Sequence, residues 1–310
     1  MTLDPGPLYN AHMQRSGFVA IAGQPNVGKS TLLNGLLNKK LAIVSRKPET
    51  TRDNIRGILT QEDCQIVLTD TPGIHRVHNL LGKIMLTRAQ SALLEADIIL
   101  MVTEKRLALN TEDMNIISRF PEPGKNTATI LIINKVDRIK QKGLLLPLIK
   151  KAEKIYPFDE IIPMSALNDG HIKKLLSIIK SYLPEKKFEY PIDQLTDKSD
   201  EFMISELIRE KILERTHEEI PHSSAVIINE ISENKKTGLL SIKAAVVVER
   251  TSQKAIIIGK NGTVIKTIGK MARSDIENTL SRKVQLELWV TVQEKWKKDP
   301  EAMREMGYTD

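Results

Sequence analysis

Eight residues, GQPNVGKS from Gly23 to Ser30, carry the clearest chemistry in the chain. Gly23 and Gly28 let the backbone curl so that its N–H groups converge on phosphate oxygens, with Gln24, Pro25, Asn26 and Val27 forming the turn between them. Lys29 offers a cation to β- and γ-phosphates, Ser30 offers a hydroxyl to Mg²⁺, and Thr31 follows in the first helical turn. An apolar run precedes the motif and a helical pattern follows it, so a helix dipole adds positive potential. A plain glycine turn ahead of a helix would read the same in isolation. Two more motifs, in order, remove that isolation. DTPG (Asp70, Thr71, Pro72, Gly73) follows CQIVLT and supplies an acid for Mg²⁺ through water and a Gly73 N–H for a γ-phosphate. NKVD (Asn134, Lys135, Val136, Asp137) ends ILII. The Asp137 carboxylate can accept two hydrogen bonds from the N1–H and N2–H₂ edge of guanine, a pair that adenine lacks.

All three motifs end strand-like runs, which is where open α/β sheets bind ligands. Those runs are FVAIAG, CQIVLTD, ADIILMV, TATILIIN and EIIPMSA. They are rich in Ile, Val and Leu without strict alternation, as buried strands are. Helical patterns lie between them, KSTLLNGLLNK and NLLGKIMLTRAQSALLEA among others. The expectation is a three-layer α/β domain over residues 17–183 with a mainly parallel sheet, after a loose tail at 1–16. Residues 184–200, with two prolines and many charges, read as a linker.

From residue 201 to 310 the rhythm changes to α-β-β-α-α-β. The adjacent helix pair flanks GKNG (Gly259, Lys260, Asn261, Gly262). This loop is no copy of the first: Lys254 stands where the earlier motif has a glycine, and Asn261 where it has Ser or Thr. Two glycines between helices suit close approach of a sugar-phosphate backbone, and no acid stands in the loop. Residues 251–298 hold ten Lys and Arg against four acids, a local +6 within a chain of net charge +7. Clustered positive charge of this kind is the footprint of a nucleic-acid module, and Lys260, Lys266, Lys270 and Arg273 are the candidate contacts. Ile256, Ile257, Ile258, Val264 and Ile265 either floor a base-binding groove or pack as core.

The ordered set GQPNVGKS, TTR, DTPG, NKVD and SAL resembles a translation-factor-type small GTPase domain. That resemblance implies that Thr51 or Thr50 covers Mg²⁺ and γ-phosphate, Thr51 being favoured. It also implies that Ser165, Ala166 and Leu167 line the guanine pocket. Lys29, Thr51, Gly73 and Asn26 are then the catalytic set, and Ser30, Thr51 and Asp70 the metal set. Ile74 departs from Ras-like proteins, where a water-orienting glutamine is expected, so intrinsic hydrolysis should be slow. Asn26 resembles the asparagine that positions K⁺ in some GTPases of this branch; an ordinary loop asparagine is equally compatible.

The α-β-β-α-α-β unit with G-x-x-G resembles a type II KH domain, whose loop clamps about four nucleotides of single-stranded backbone. A GTPase domain followed by such a unit is similar to the Era family of bacterial ribosome-assembly GTPases over about residues 15–308. Membership implies GTP/GDP with Mg²⁺, the 3′ end of small-subunit ribosomal RNA and the small ribosomal subunit as partners, and a loose peripheral contact with the inner membrane. Asn261 departs from the third glycine usual in that loop, and MVTEK from the usual ending of that strand. A rival reading keeps the KH fold as a scaffold for a membrane-surface regulatory GTPase. A metabolic phosphotransferase would leave NKVD and the KH-like unit without use. The lone Cys64 excludes an intrachain disulfide and, with no secretory signal, suggests a cytoplasmic protein. No apolar run nears the ~20 residues needed to span a bilayer. The expected state is a monomer.

Overall fold

The computed structural model describes residues 14–47, 49–73, 79–104, 109–122, 126–141, 143, 145–217 and 219–308. Most of the expected N-terminal tail and Ile74 lie outside the described residues. The first unit is a six-stranded sheet in the order β2-β3-β1-β4-β5-β6. Its strands are β1 (Arg15–Gly23), β2 (Ile55–Thr60), β3 (Cys64–Asp70), β4 (Ile98–Glu104), β5 (Ala128–Asn134) and β6 (Glu160–Pro163). Every pairing is parallel except β2 against β3. Helices α1 (Lys29–Leu37), α2 (Leu80–Glu95), α3 (Thr111–Ile117), α4 (Leu145–Ile155) and α5 (Asp169–Tyr182) cover the two faces.

Strand alternation splits the core in two. Val19 and Ile21 face Leu32, Leu33 and Leu175 on one side. Ala20 and Ala22 face Ala89, Leu93 and Ile116 on the other. The small side chains of β1 let α2 and α3 close in on that second face. Sequence patterning did not anticipate β2. Its run IRGILT is broken by Gly57, and the break has a steric cause: a Cβ there would lie 2.3 Å from Leu37 Cδ1. The sheet also begins at Arg15, inside the stretch expected to be loose. The 184–200 segment is strapped down. Ile58 N–H donates to the Leu195 carbonyl (2.8 Å), and the buried Gln65 amide holds the backbone of Glu189 and Tyr190 at 2.9–3.0 Å.

The second unit runs α6 (Asp200–Arg215), α7 (Ile220–Ser223), β7 (Ser224–Glu233), β8 (Leu240–Val248), α8 (Thr251–Ile258), α9 (Thr263–Leu280) and β9 (Val284–Val292). This is the expected order with one short helix added. β7 and β8 are antiparallel, β8 and β9 parallel. Ile204, Leu207, Ile208 and Ile212 of α6 share a core with Ile242, Val246, Ile257, Ile268 and Ile276. A tail with α10 (Pro300–Glu305) then returns to the first unit. Trp296, Met303 and Tyr308 bury Leu81 and Met85 of α2 together with Ala225 and Val247. The two units therefore share an apolar seam.

Candidate functional site

The first glycine loop joins β1 to α1 along a path that side chains obstruct. Gly28 has φ 102°, and a Cβ there would lie 2.4 Å from Asn134 Nδ2. Asn26 takes the left-handed conformation (φ 64°), which asparagine tolerates better than most residues. Lys29 is buried, and its ammonium donates to the carbonyls of Gly23 and Gln24, both at 3.0 Å. Burial pushes its pKa down to about 8, against the opposing pull of the Asp70 charge.

Three oxygens converge beside it. Ser30 Oγ lies 2.6 Å from Asp70 Oδ2, Thr51 Oγ1 donates to that same oxygen at 3.1 Å, and the two hydroxyls are 3.2 Å apart. Asp70 is fully buried, which raises its carboxyl pKa, and its Oδ1 has no hydrogen-bond partner. An orphaned buried carboxylate oxygen beside two hydroxyls is an all-oxygen donor set that fits Mg²⁺. Thr50 turns away, donating its hydroxyl to the Lys47 carbonyl at 2.7 Å. Gly73 lies against Pro25, where a Cβ would approach within 2.9 Å.

Asn134 fastens three loops. Its Nδ2 donates to the Val27 carbonyl (2.9 Å), and its Oδ1 accepts from Lys135 N (2.8 Å) and Ala166 N (2.9 Å). Lys135 sits at φ 60°, pairs with Glu104 at 2.7 Å and donates to the Asn26 carbonyl. Val136 N–H donates to the Met164 carbonyl, which leaves Asp137 exposed at the rim. Ser165 N–H donates to His171 Nδ1 (3.0 Å), and Leu167 is 75% exposed beyond it. A pocket of about 840 Å³ spans Asn26, Lys29, Thr51, Gly73, Lys135 and Arg138, and Thr31 also lines it.

Several expected contact residues point elsewhere. Gln24 turns its amide into the protein, to Asn110 Oδ1 and Asp113 Oδ1, both at 2.8 Å. Thr71 spends its hydroxyl on the Ile21 carbonyl (2.9 Å), and Val27 and Pro72 are buried. Asp113 also accepts from Thr103 Oγ1 and Leu109 N, each at 2.8 Å. Sequence reasoning missed Asp113. NTED marks a helix start, and nothing in those letters announces a phosphate loop overhead.

In the second unit, Gly259, Asn261 and Gly262 all have positive φ (73°, 55° and 74°). Asn261 thus meets the left-handed requirement that a glycine would meet. Lys260 and Asn261 are exposed. Beside the loop a groove of about 760 Å³ runs between α9 and β9. Ile265, Leu286 and Leu288 floor it, and Lys266, Lys270 and Arg273 stand along it. Ile257 belongs to the core instead, Ile258 and Val264 pack on that core, and Ile256 is exposed.

Residues 18–135 match the family model of the 50S ribosome-binding GTPases, and residues 219–297 match that of the KH domain. GTPase Era of Syntrophus aciditrophicus (strain SB) is 46% identical over 298 residues, covering 96% of each chain. GTPase Era of Clostridium tetani (strain Massachusetts / E88) is 45% identical over 300 residues, covering 96% of this chain and 99% of the relative. The chain belongs to the Era family of GTPases. The crystal structure of a single-substitution variant of Aquifex aeolicus Era bound to GDP·AlF₄⁻ superposes with a TM-score of 0.91 at 41% identity, covering 96% of this chain and all of that one. Another Era structure, in complex with MgGDPNP and nucleotides 1506–1542 of 16S ribosomal RNA, matches with the same score, identity and coverage. The match spans both units, so the Era-type pairing of a GTPase unit with a KH unit extends through the whole molecule.

Proposed function

We propose that this chain is a GTP-hydrolysing switch that grips single-stranded RNA at the 3′ end of small-subunit ribosomal RNA and acts in small-subunit assembly. The observation that carries the nucleotide half is the cluster of Ser30, Thr51 and the half-satisfied Asp70 carboxylate. The RNA half is supported by the glycine loop beside an apolar groove with a basic rim, and by the RNA-bound Era relative. Lys29, held by the Gly23 and Gln24 carbonyls, neutralises β- and γ-phosphate charge. Ser30, Thr51 and Asp70 would hold Mg²⁺, which would supply positive charge to the phosphates when bound. The Gly73 N–H meets the γ-phosphate, Asp137 reads guanine, and the loop of Ser165, Ala166 and Leu167 closes the base pocket behind Asn134. Asn26 is a K⁺ ligand in this reading. Residues 17–183 act as the GTPase unit and 201–310 as the RNA unit, joined by 184–200.

The protein works as a monomer in the cytoplasm, with its basic surface available for peripheral contact with the inner membrane. No helix among the described residues is long and apolar enough to cross a membrane. Titrating labelled RNA of the 16S 3′ end into the GDP-bound form and into a form bound to a non-hydrolysable GTP analogue tests the switch. Tighter binding in one state is expected, and linkage then requires RNA to change nucleotide affinity by the same factor. Equal affinities would leave an RNA-binding GTPase that does not switch.

A further inference from the structure

Residues 50–52 connect the nucleotide site to the second unit one residue at a time. The Thr50 carbonyl accepts from Arg209 of α6. The Thr51 hydroxyl faces Asp70 and Ser30. Arg52 enters a socket built entirely by the second unit and the tail. Its Nη1 donates to the Ser224 carbonyl (2.7 Å) and to the Tyr308 hydroxyl (3.0 Å), and its Nη2 donates to the Pro221 carbonyl (3.0 Å). Trp296 and Tyr308 stack at 5.8 Å, and the Arg52 guanidinium carbon lies 5.9 Å from each ring centre. Arg52 is 1% exposed, and its three acceptors are all neutral. Burying a guanidinium among neutral groups is costly unless its donors are placed well. The socket places acceptors for both Nη groups and two aromatic faces beside the guanidinium, which lysine could not exploit equally, and leaves the buried Nε–H without a partner.

Adjacent α-carbons are about 3.8 Å apart, so seating Arg52 restricts where Thr51 can be. We propose that Arg52 is a positioning residue for Thr51, and that the C-terminal tail, through Tyr308 and Trp296, helps build the Mg²⁺ site of the first unit. The inference rests on the nucleotide reading above and adds a dependence that the glycine loop and DTPG do not contain. Tyr308 is itself anchored, since Arg88 Nη2 donates to its carbonyl at 2.9 Å and its N–H donates to the Met303 carbonyl at 2.8 Å. Arg88 belongs to α2, so the socket also touches the helix that follows DTPG.

The test uses full-length protein and two substitutions at opposite ends of the contact, R52A and Y308A. The readout is the Mg²⁺ concentration that half-saturates binding of a fluorescent non-hydrolysable GTP analogue, beside the affinity for GDP without Mg²⁺. R52A should raise the Mg²⁺ midpoint about tenfold, equivalent to about 1.4 kcal/mol. Y308A should move it in the same direction by a smaller factor, and the double variant should add little to R52A. Mg²⁺-free GDP affinity should change less than twofold. A contact that only holds the units together would lower the melting temperature and leave the midpoint in place. An unmoved midpoint in both variants, or a shift in R52A alone, overturns the proposal. A second readout needs neither variant. With W289F, which removes the other tryptophan, Trp296 emission should respond to the Mg²⁺–analogue complex, and a silent Trp296 counts against the socket. Wild-type protein that bound no GTP would instead sink the function proposed above.

Discussion

Replacing Asp113 with asparagine changes one oxygen for an NH₂ group beneath the phosphate loop. The carboxylate accepts from three donors: the Gln24 amide, the Thr103 hydroxyl and the Leu109 N–H. An asparagine must aim its NH₂ either at the Gln24 amide or at the Thr103 hydroxyl and Leu109 N–H, which share Oδ2. The Thr103 hydroxyl can rotate, whereas the Leu109 N–H cannot. The Gln24 amide cannot flip freely either. It also donates to Asn110 Oδ1, which is committed as an acceptor by capping α3 through the N–H groups of Glu112 and Asp113. At least one buried donor is therefore left unmatched, a cost of about 2 kcal/mol. For a unit of this size that lowers the melting temperature by roughly 4–8 °C. The same strain reaches function because the Gln24 carbonyl is one of the two that hold Lys29. GDP affinity should fall about tenfold, read by fluorescent nucleotide titration at a temperature where circular dichroism shows the variant folded. Combining D113N with Q24A should cost little more than either change alone. Burial raises the Asp113 carboxyl pKa above its ordinary 3.8. The folded wild type therefore takes up this proton before the unfolded chain does. Its stability advantage over D113N should widen as pH falls from the raised value toward 3.8. Wild-type nucleotide affinity in D113N, alongside the expected loss of stability, would refute the link from Asp113 to the loop.

Asp137→Asn removes the double acceptor for guanine and should shift preference from GTP toward xanthosine triphosphate in competition binding; unchanged GTP preference would unseat Asp137. Replacing Lys260 and Asn261 with aspartates should weaken RNA binding at least tenfold and flatten its salt dependence, with GTP affinity nearly unchanged in the absence of RNA. Lys29, its pKa lowered by burial to about 8, should gain a proton as phosphates bind, so calorimetry in buffers of different ionisation enthalpy should report roughly 0.75 proton taken up at pH 8.5 and about 0.1 at pH 7. Equal uptake at the two pH values would place the titration elsewhere. If Asn26 holds a cation, turnover should be faster in potassium than in sodium, and equal rates would leave it a loop residue.

The candidate nucleotide site was legible because its residues stand at the spacing that phosphate chemistry needs and its backbone demands glycine. Gly23, Gly28 and Gly73 each sit where a Cβ would collide, so the letters record the geometry directly. Two adjacent threonines could not be separated in the sequence, since both lie in one loop; only the fold turns Thr51 inward and Thr50 toward Lys47. β2 escaped notice because Gly57 interrupts its pattern for the sake of Leu37, which lies far off in the chain. The basic stretch was legible as charge but not as a surface. Lys260, Lys266, Lys270 and Arg273 flank the loop and groove, whereas Arg282 pairs with Glu233 (3.2 Å) and Lys297 with Glu249 (2.8 Å).

What the sequence conceals most completely is the seam between the units. Arg52 reads as an ordinary charged residue after two threonines, and its partners lie about 170 to 256 positions away. Two of those partners are backbone carbonyls, which leave no mark in any side-chain pattern. Arg209 looks like one more charge on a helix rich in them, yet it is buried and paired with Glu206 at 2.6 Å while reaching the Thr50 carbonyl. Lys40, half-exposed and three residues past α1, also crosses the seam, pairing with Glu210 of α6 (2.6 Å) and Asp275 of α9 (3.0 Å). Asp275 lies on the helix that opens at the second glycine loop, two residues beyond Arg273. The segment leading from α1 to Thr51 is therefore attached to the RNA unit at Lys40, Val44, Thr50 and Arg52. A change in Thr51 position would act on contacts spread over α6, α9 and the tail. Those contacts give the two glycine loops a physical route by which one ligand can alter the affinity for the other.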